Sequence, residues 1–192
     1  MIQTSTRTEQ KGFTLIELLI VIGILAILTA AVVIILNPGE LLKQARDSQR
    51  FSDLDALKNT IALYLTDSQP FTAVSSTACY VSTATTVSAY CGGDFATSTR
   101  ATATQTGNRS VNGSGWIPLN FTAITSGSPL QNLPVDPVNN ATYFYAAAFD
   151  PTNLTFELDA NLESAKYSSK ETTDGGNNAA AYEVGSAPGL AL

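Results

Sequence analysis

Residues 13–36 read FTLIELLIVIGILAILTAAVVIIL, an apolar run carrying a single charge, Glu17. As a helix they would span about 36 Å at ~1.5 Å per residue, enough to cross a hydrocarbon core of about 30 Å. The run is longer and richer in Ile and Leu than the apolar region of an ordinary secretory signal, and no small-residue cleavage site comes after it. A buried core helix is the competing reading. The rest of the chain is too polar to wrap a helix that is apolar all round, so the segment reads as a membrane span.

Arg7 and Lys11 precede the run, with Glu9 the only acid among them. That bias predicts an N-terminus that stays in the cytoplasm and a C-terminal part that is exported. Lys43, Arg46 and Arg50 come after the run and dilute the bias; the shortness of the leader and the polar composition of the remaining chain break the tie.

The whole chain has 192 residues, with 10 Lys+Arg against 16 Asp+Glu and a net charge of −6. An acidic balance disfavours nucleic acid as a partner. Histidine is absent, which removes the usual general base and metal ligand. Two cysteines exclude a Cys-rich zinc site. Neither a phosphate-binding G-x-x-x-x-G-K-[ST] loop nor a G-x-S-x-G elbow occurs, so the expectation is a protein that is not an enzyme. Asp53 and Asp55 read as a solvated helical face, and Arg100 with Arg109 as the one candidate basic patch.

The leader is the most specific signal. Gln10-Lys11-Gly12-Phe13-Thr14-Leu15-Ile16-Glu17-Leu18-Leu19 resembles the N-terminus of type IV pilins and of the pseudopilins of type II secretion. The resemblance implies cleavage between Gly12 and Phe13 by the prepilin peptidase and N-methylation of Phe13. It makes Glu17 the acidic residue used in assembly. Physical chemistry points the same way: a carboxylate at the centre of a membrane helix costs about 2.5–3.5 kcal/mol on insertion scales. A freed α-amine can neutralise Glu17, within one helix or between subunits, and in the second case the buried pair sets the register of a polymer. The bland alternative is a glutamate snorkelling to the interface.

After Asn37-Pro38-Gly39, apolar residues recur at Leu41, Leu42, Ala45, Leu54, Leu57, Ile61 and Leu65. This predicts one long helix over 14–66, broken around 34–39 by Pro38 and Gly39, apolar all round in its first half and amphipathic in its second. The expected organisation is a leader (1–12), a transmembrane and polymerisation helix (13–36), its amphipathic continuation (37–66) and an exported domain (67–192). The exported domain divides into a Ser/Thr-rich loop (67–115) and a C-terminal sheet (116–192).

Between Thr66 and Gly115, 19 of 50 residues are Ser or Thr, which reads as an extended surface region. Cys79 and Cys91 lie inside it and would form a disulfide in an oxidising exterior. Segments 141–149 and 154–162 flank Asp150-Pro151-Thr152-Asn153, a strong turn signal, and a third strand is expected at 181–184. The predicted fold is α+β, with a small antiparallel sheet packed on the amphipathic helix.

Trp116-Ile117-Pro118, Leu133-Pro134-Val135-Asp136-Pro137, Tyr143 through Leu158 and Asp174-Gly175-Gly176 resemble the C-terminal pattern of major pseudopilins. Val138 and Asn139 depart from it, standing where the family prefers Trp-Gly. Family members often hold calcium in the loop after the hairpin, and Asp159, Glu163, Asp174 and Asn177 are the oxygen donors available here. The expectation is a polar loop without a cofactor, with calcium as the alternative. Five N-x-Ser/Thr sequons begin at Asn108, Asn112, Asn120, Asn140 and Asn153, an excess over chance too small to predict glycosylation.

The resemblance implies a structural subunit of a pilus-like filament, a single-pass cytoplasmic-membrane protein before assembly. Its partners would be copies of itself, the peptidase and the inner-membrane assembly machinery. A pseudopilin of a type II secretion system is the alternative within that class, and a membrane-anchored monomeric binding protein the alternative outside it.

Overall fold

The computed structural model describes residues 12–67, 70–88, 91–95, 100–103 and 105–192. Arg7, Glu9 and Lys11 of the leader lie outside them. The chain divides into two units, Met1–Leu41 and Leu42–Leu192.

In the first unit, α1 (Leu15–Leu36) has no buried residue. It is the one helix among the described residues long and apolar enough to cross a membrane, by length and composition. It ends at Asn37, whose backbone is left-handed (φ 41°, ψ 72°). The residue before a proline is pushed out of the helical region, and asparagine is among the few side chains that tolerate a left-handed backbone. Pro38 then opens α2 (Pro38–Thr66), the first helical position, where its missing N–H costs nothing. The expectation of a break around 34–39 is therefore narrowed to a single residue, Asn37. Gly39 lies within the first turn of α2 and not at the break.

In the second unit, α2 buries Asp47, Arg50, Leu54, Leu57, Thr60, Ile61 and Tyr64. Apart from Thr60, the stripe advances by steps of three and four, which keeps one face toward the core. Leu41 and Leu42, expected on that stripe, are exposed. Its N-terminal continuation is instead the charged pair Asp47 and Arg50.

Five strands come after the helices: β1 (Ala78–Val81), β2 (Ala101–Thr102), β3 (Tyr145–Asp150), β4 (Thr155–Ala160) and β5 (Tyr182–Gly185). Their order in the sheet is β2-β1-β3-β4-β5. β1 and β2 run parallel, and every other pair is antiparallel. The fold is α+β, but the sheet is mixed and larger than expected, because β1 and β2 arise within the Ser/Thr-rich region read as surface loop. β3 and β4 pair from Tyr145↔Ala160 to Asp150↔Thr155 around the expected turn. The Asp150 carboxylate accepts from the Thr152 and Asn153 amides and from the Asn153 side-chain amide. β3 starts at 145 and not 141 because Asn140 Oδ1 accepts from the Thr142 and Tyr143 amides and holds that segment in a turn.

Alternation sorts the sheet into two faces. Tyr145, Ala147, Phe149, Phe156, Leu158 and Val184 meet Leu54, Leu57, Ile61 and Tyr64 of α2 in the main core. Cys79, Val81, Ala146 and Ala148 face the other way and pack with Val87, Cys91, Phe95 and Phe144. The Ser/Thr-rich region thus covers the back of the sheet, stapled by the disulfide between Cys79 and Cys91.

The sequons have a local structural role. Asn108, Asn112 and Asn120 each accept, at Oδ1, both the backbone N–H and the hydroxyl of the Ser or Thr two positions on. This is the Asx turn, which needs the same N-x-Ser/Thr spacing as a glycosylation acceptor.

Candidate functional site

Three groups of polar side chains stand out, one at the start of α1 and two in the second unit. At the start of α1, Thr14 is the N-cap. Its hydroxyl accepts from the Glu17 amide at 3.3 Å, while Glu17 Oε2 accepts from the Thr14 amide at 2.9 Å and the Thr14 hydroxyl at 2.7 Å. This reciprocal pair is a capping box. It satisfies helix donors that have no partner within the first turn, and it places a carboxylate at the positive end of the helix dipole. The Thr-x-x-Glu spacing at 14–17 is legible in the sequence, although the charge of Glu17 alone suggests an assembly role and not a capping one. Phe13 directly precedes the cap and is almost fully exposed.

The second group joins α2 to the segments before β3 and after β4. Arg50, with no exposed surface, donates from Nε and Nη2 to both oxygens of Asp136 (2.6 and 3.0 Å) and from Nη1 to Asp47 (2.7 Å). Its Nη2 also lies 2.6 Å from Glu163. Arg46 makes a two-point contact with the same Glu163. Asp47 accepts from the Glu163 and Ser164 amides, and Asp136 from the Val138 and Asn139 amides. The Tyr143 ring lies 5.1 Å from the Arg50 guanidinium carbon. Burial alone would lower Arg50, but the hydrogen bonds and charge of Asp136 outweigh it and hold the guanidinium above its ordinary value. The Arg46 hydrogen bonds pull the Glu163 carboxyl below the usual range.

Asp53, read as part of a solvated face, accepts the Tyr145 hydroxyl at 2.8 Å. Arg100 and Arg109 do not form a basic patch. Arg100 is buried and donates to the Ala78 and Phe149 carbonyls, and Arg109 donates to the Leu133 carbonyl.

The third group is acidic. Glu157 and Asp159 on β4 and Glu183 on β5 point to the back of the sheet, all buried, with carboxylate oxygens within 4.8 Å of one another. Asp94, three residues after Cys91, is buried beside them. Burial, and secondarily the Glu183 charge, pushes Asp94 up to about 7. Burial also raises Glu157 to about 7, carries Asp159 well above the usual range, and raises Glu183.

The four calcium candidates read from the sequence fall into different surroundings. Glu163 is held by Arg46 and Arg50, and the Asp174 oxygens accept from the Gly176 and Glu183 amides. Only Asp159 belongs to the acidic group. Glu163 is thus engaged by two arginines, whereas Asp174 lies beside the acidic group. Glu157, Glu183 and Asp94 are invisible as a site in the sequence, because they come from three segments and only the sheet register and the disulfide bring them together.

Residues 7–33 match the family model described as the prokaryotic N-terminal methylation motif, the hallmark of type IV pilins and pseudopilins. No curated protein and no solved structure matches the chain. The motif points to a structural and not a catalytic protein.

Proposed function

We propose that this protein is a structural subunit of a type IV pilus-like filament, cut between Gly12 and Phe13 by prepilin peptidase, methylated on Phe13 and polymerised through α1. The observation that carries the reading is α1 itself: its residues are exposed along their whole length, and its one charge sits in the first turn. An exposed apolar helix of this length needs lipid or other copies of itself around it. Moving from membrane to filament exchanges one apolar surrounding for another, so the transfer of the helix itself costs little.

Glu17 then has two roles. In the single chain it caps the helix with Thr14. In the filament its carboxylate pairs with the amine freed at Phe13, its own or a neighbour's. The cleaved chain sits in the inner membrane with its N-terminus on the cytoplasmic side, where the assembly machinery extracts it. The C-terminal pattern from Trp116 to Gly176 favours a pseudopilin of type II secretion as the second reading.

The test has two arms. The N-terminal sequence and mass of protein recovered from membranes should show Phe13 first, about 14 Da heavier than unmodified; an intact Met1 terminus in cells with the peptidase overturns the reading. Glu17→Gln retains the capping geometry and removes the charge. It should insert normally and fail to assemble, whereas filaments at wild-type yield would show that the charge has no part in assembly.

A further inference from the structure

We propose that Glu157, Asp159 and Glu183 on the back of the sheet form a binding site for one divalent, oxygen-preferring cation of the calcium class, with Asp94 of the disulfide loop buried beside it.

Unpartnered atoms are the starting point. Both Asp159 oxygens, Glu157 Oε1, Glu183 Oε1 and Asp94 Oδ2 are buried and have no hydrogen-bond partner among the described residues. Buried polar atoms are nearly always satisfied, and a cluster of exceptions in one place calls for a water or an ion. Asp159 has no exposed surface, and neither of its oxygens meets a donor. Sharing protons among the acids satisfies some of these atoms, since Glu157 and Glu183 lie close enough to bond to each other. It leaves Asp159 without a partner.

Glu157 and Glu183 each have their second oxygen already used, and each brings a carboxylate oxygen within 4.8 Å of an Asp159 oxygen. Glu157 Oε2 accepts from the Leu192 amide, and Glu183 Oε2 from the Asn178 amide. Asn178 in turn donates to the Asp94 carbonyl, tying the loop of Asp94 to the same place. Asp174 acts as a positioning residue, accepting the Glu183 amide. The nearby cation is Arg100, whose guanidinium is engaged by the Ala78 and Phe149 carbonyls. One guanidinium does not balance four buried carboxylates.

The geometry suits calcium. Ligand oxygens on one calcium ion lie about 2.3–2.6 Å from it, so opposite ligands are up to about 5 Å apart. The 4.8 Å limit on the three carboxylates falls within that span. A donor set made only of carboxylate oxygens selects hard cations over zinc or copper. Glu183 and Asp174 also line a cleft of about 450 Å³. An ion here would tie β4 to β5 beside the loop that the disulfide and Asn178 hold in place.

The test uses the full chain in detergent, stripped with EDTA and titrated with CaCl2. Equilibrium dialysis with radioactive calcium should give one ion per chain, and the melting temperature should rise by about 5–10 °C at a hundredfold excess over the dissociation constant. Asp159→Asn and Glu183→Gln should each lower calcium affinity at least tenfold. Because each removes an uncompensated buried charge, each should melt no lower than wild type in EDTA, so loss of binding is not loss of fold. Asp94→Asn repeats the test from the loop. Absence of bound calcium at 1 mM, undiminished binding in the three variants, or an equal response to MgCl2 would overturn the assignment.

Discussion

Replacing Arg50 by Met tests how the charged half of α2 is held. Met retains an apolar stem of similar length but removes four charged contacts: two to Asp136, one to Asp47 and one to Glu163. Glu163 keeps Arg46, so it is the least affected. Asp47 and Asp136 are buried and lose their cation, each keeping two backbone amides. Removing one partner of a buried ion pair costs about 3–5 kcal/mol, and the surviving amide donors place this case near ~3 kcal/mol. For a chain of this size that corresponds to a fall of about 6–12 °C in melting temperature, read by circular dichroism in detergent. Asp136→Asn added to Arg50→Met removes one orphaned charge while its side-chain oxygen still accepts the Val138 and Asn139 amides, so the double variant should recover about half of the loss. Arg50→Lys should fall between, since one ammonium does not reproduce a two-point contact. A melting temperature for Arg50→Met within 2 °C of wild type, or no recovery in the double variant, would refute the account.

Two further perturbations probe the second unit. Reducing the disulfide, or replacing Cys79 and Cys91 by Ala, reopens a loop with a sequence separation of 12 and should cost about 3 kcal/mol on a chain-entropy argument. A fall in melting temperature of under 2 °C would show that packing on the back of the sheet needs no staple. Stability should also vary with pH from both sides. Glu163, held below its unfolded value, contributes stability above the unfolded carboxyl range and loses it as pH falls through the folded value. Asp94 and Glu157, raised to about 7, contribute stability that is complete near pH 4 and lost as pH rises through 7. The EDTA-treated protein should therefore melt highest near pH 5, and a melting temperature that climbs steadily to pH 8 would contradict the second limb.

Where local sequence carries the physics, expectation and structure agree closely. The apolar run of 13–36, the Asp150 turn and the stripe at Leu54, Leu57 and Ile61 are set by neighbours within a few positions. Capping at Thr14 and Glu17 and the Asx turns at the sequons are equally local, and their spacing is present in the sequence. The charged end of the α2 stripe escapes a hydropathy pattern because Asp47 and Arg50 count as polar in it. Their partners are remote: Asp136 lies 86 positions from Arg50, and the Ser164 amide that Asp47 accepts lies 117 positions away.

By itself, then, the sequence determined a helix suited to a membrane or a filament, a processing motif beside it and an α+β domain after it, because composition and short-range spacing are enough for each. Only the tertiary structure decided that a Ser/Thr-rich stretch adds two strands, since strands of four and two residues gain their stability from pairing and a disulfide, not from their own composition. It alone brought Asp94, Glu157, Asp159 and Glu183 together. Carboxylates repel one another and no local preference gathers them; the register of β4 on β5 and the fold of the loop after Cys91 do so, at a desolvation cost that a bound cation would offset.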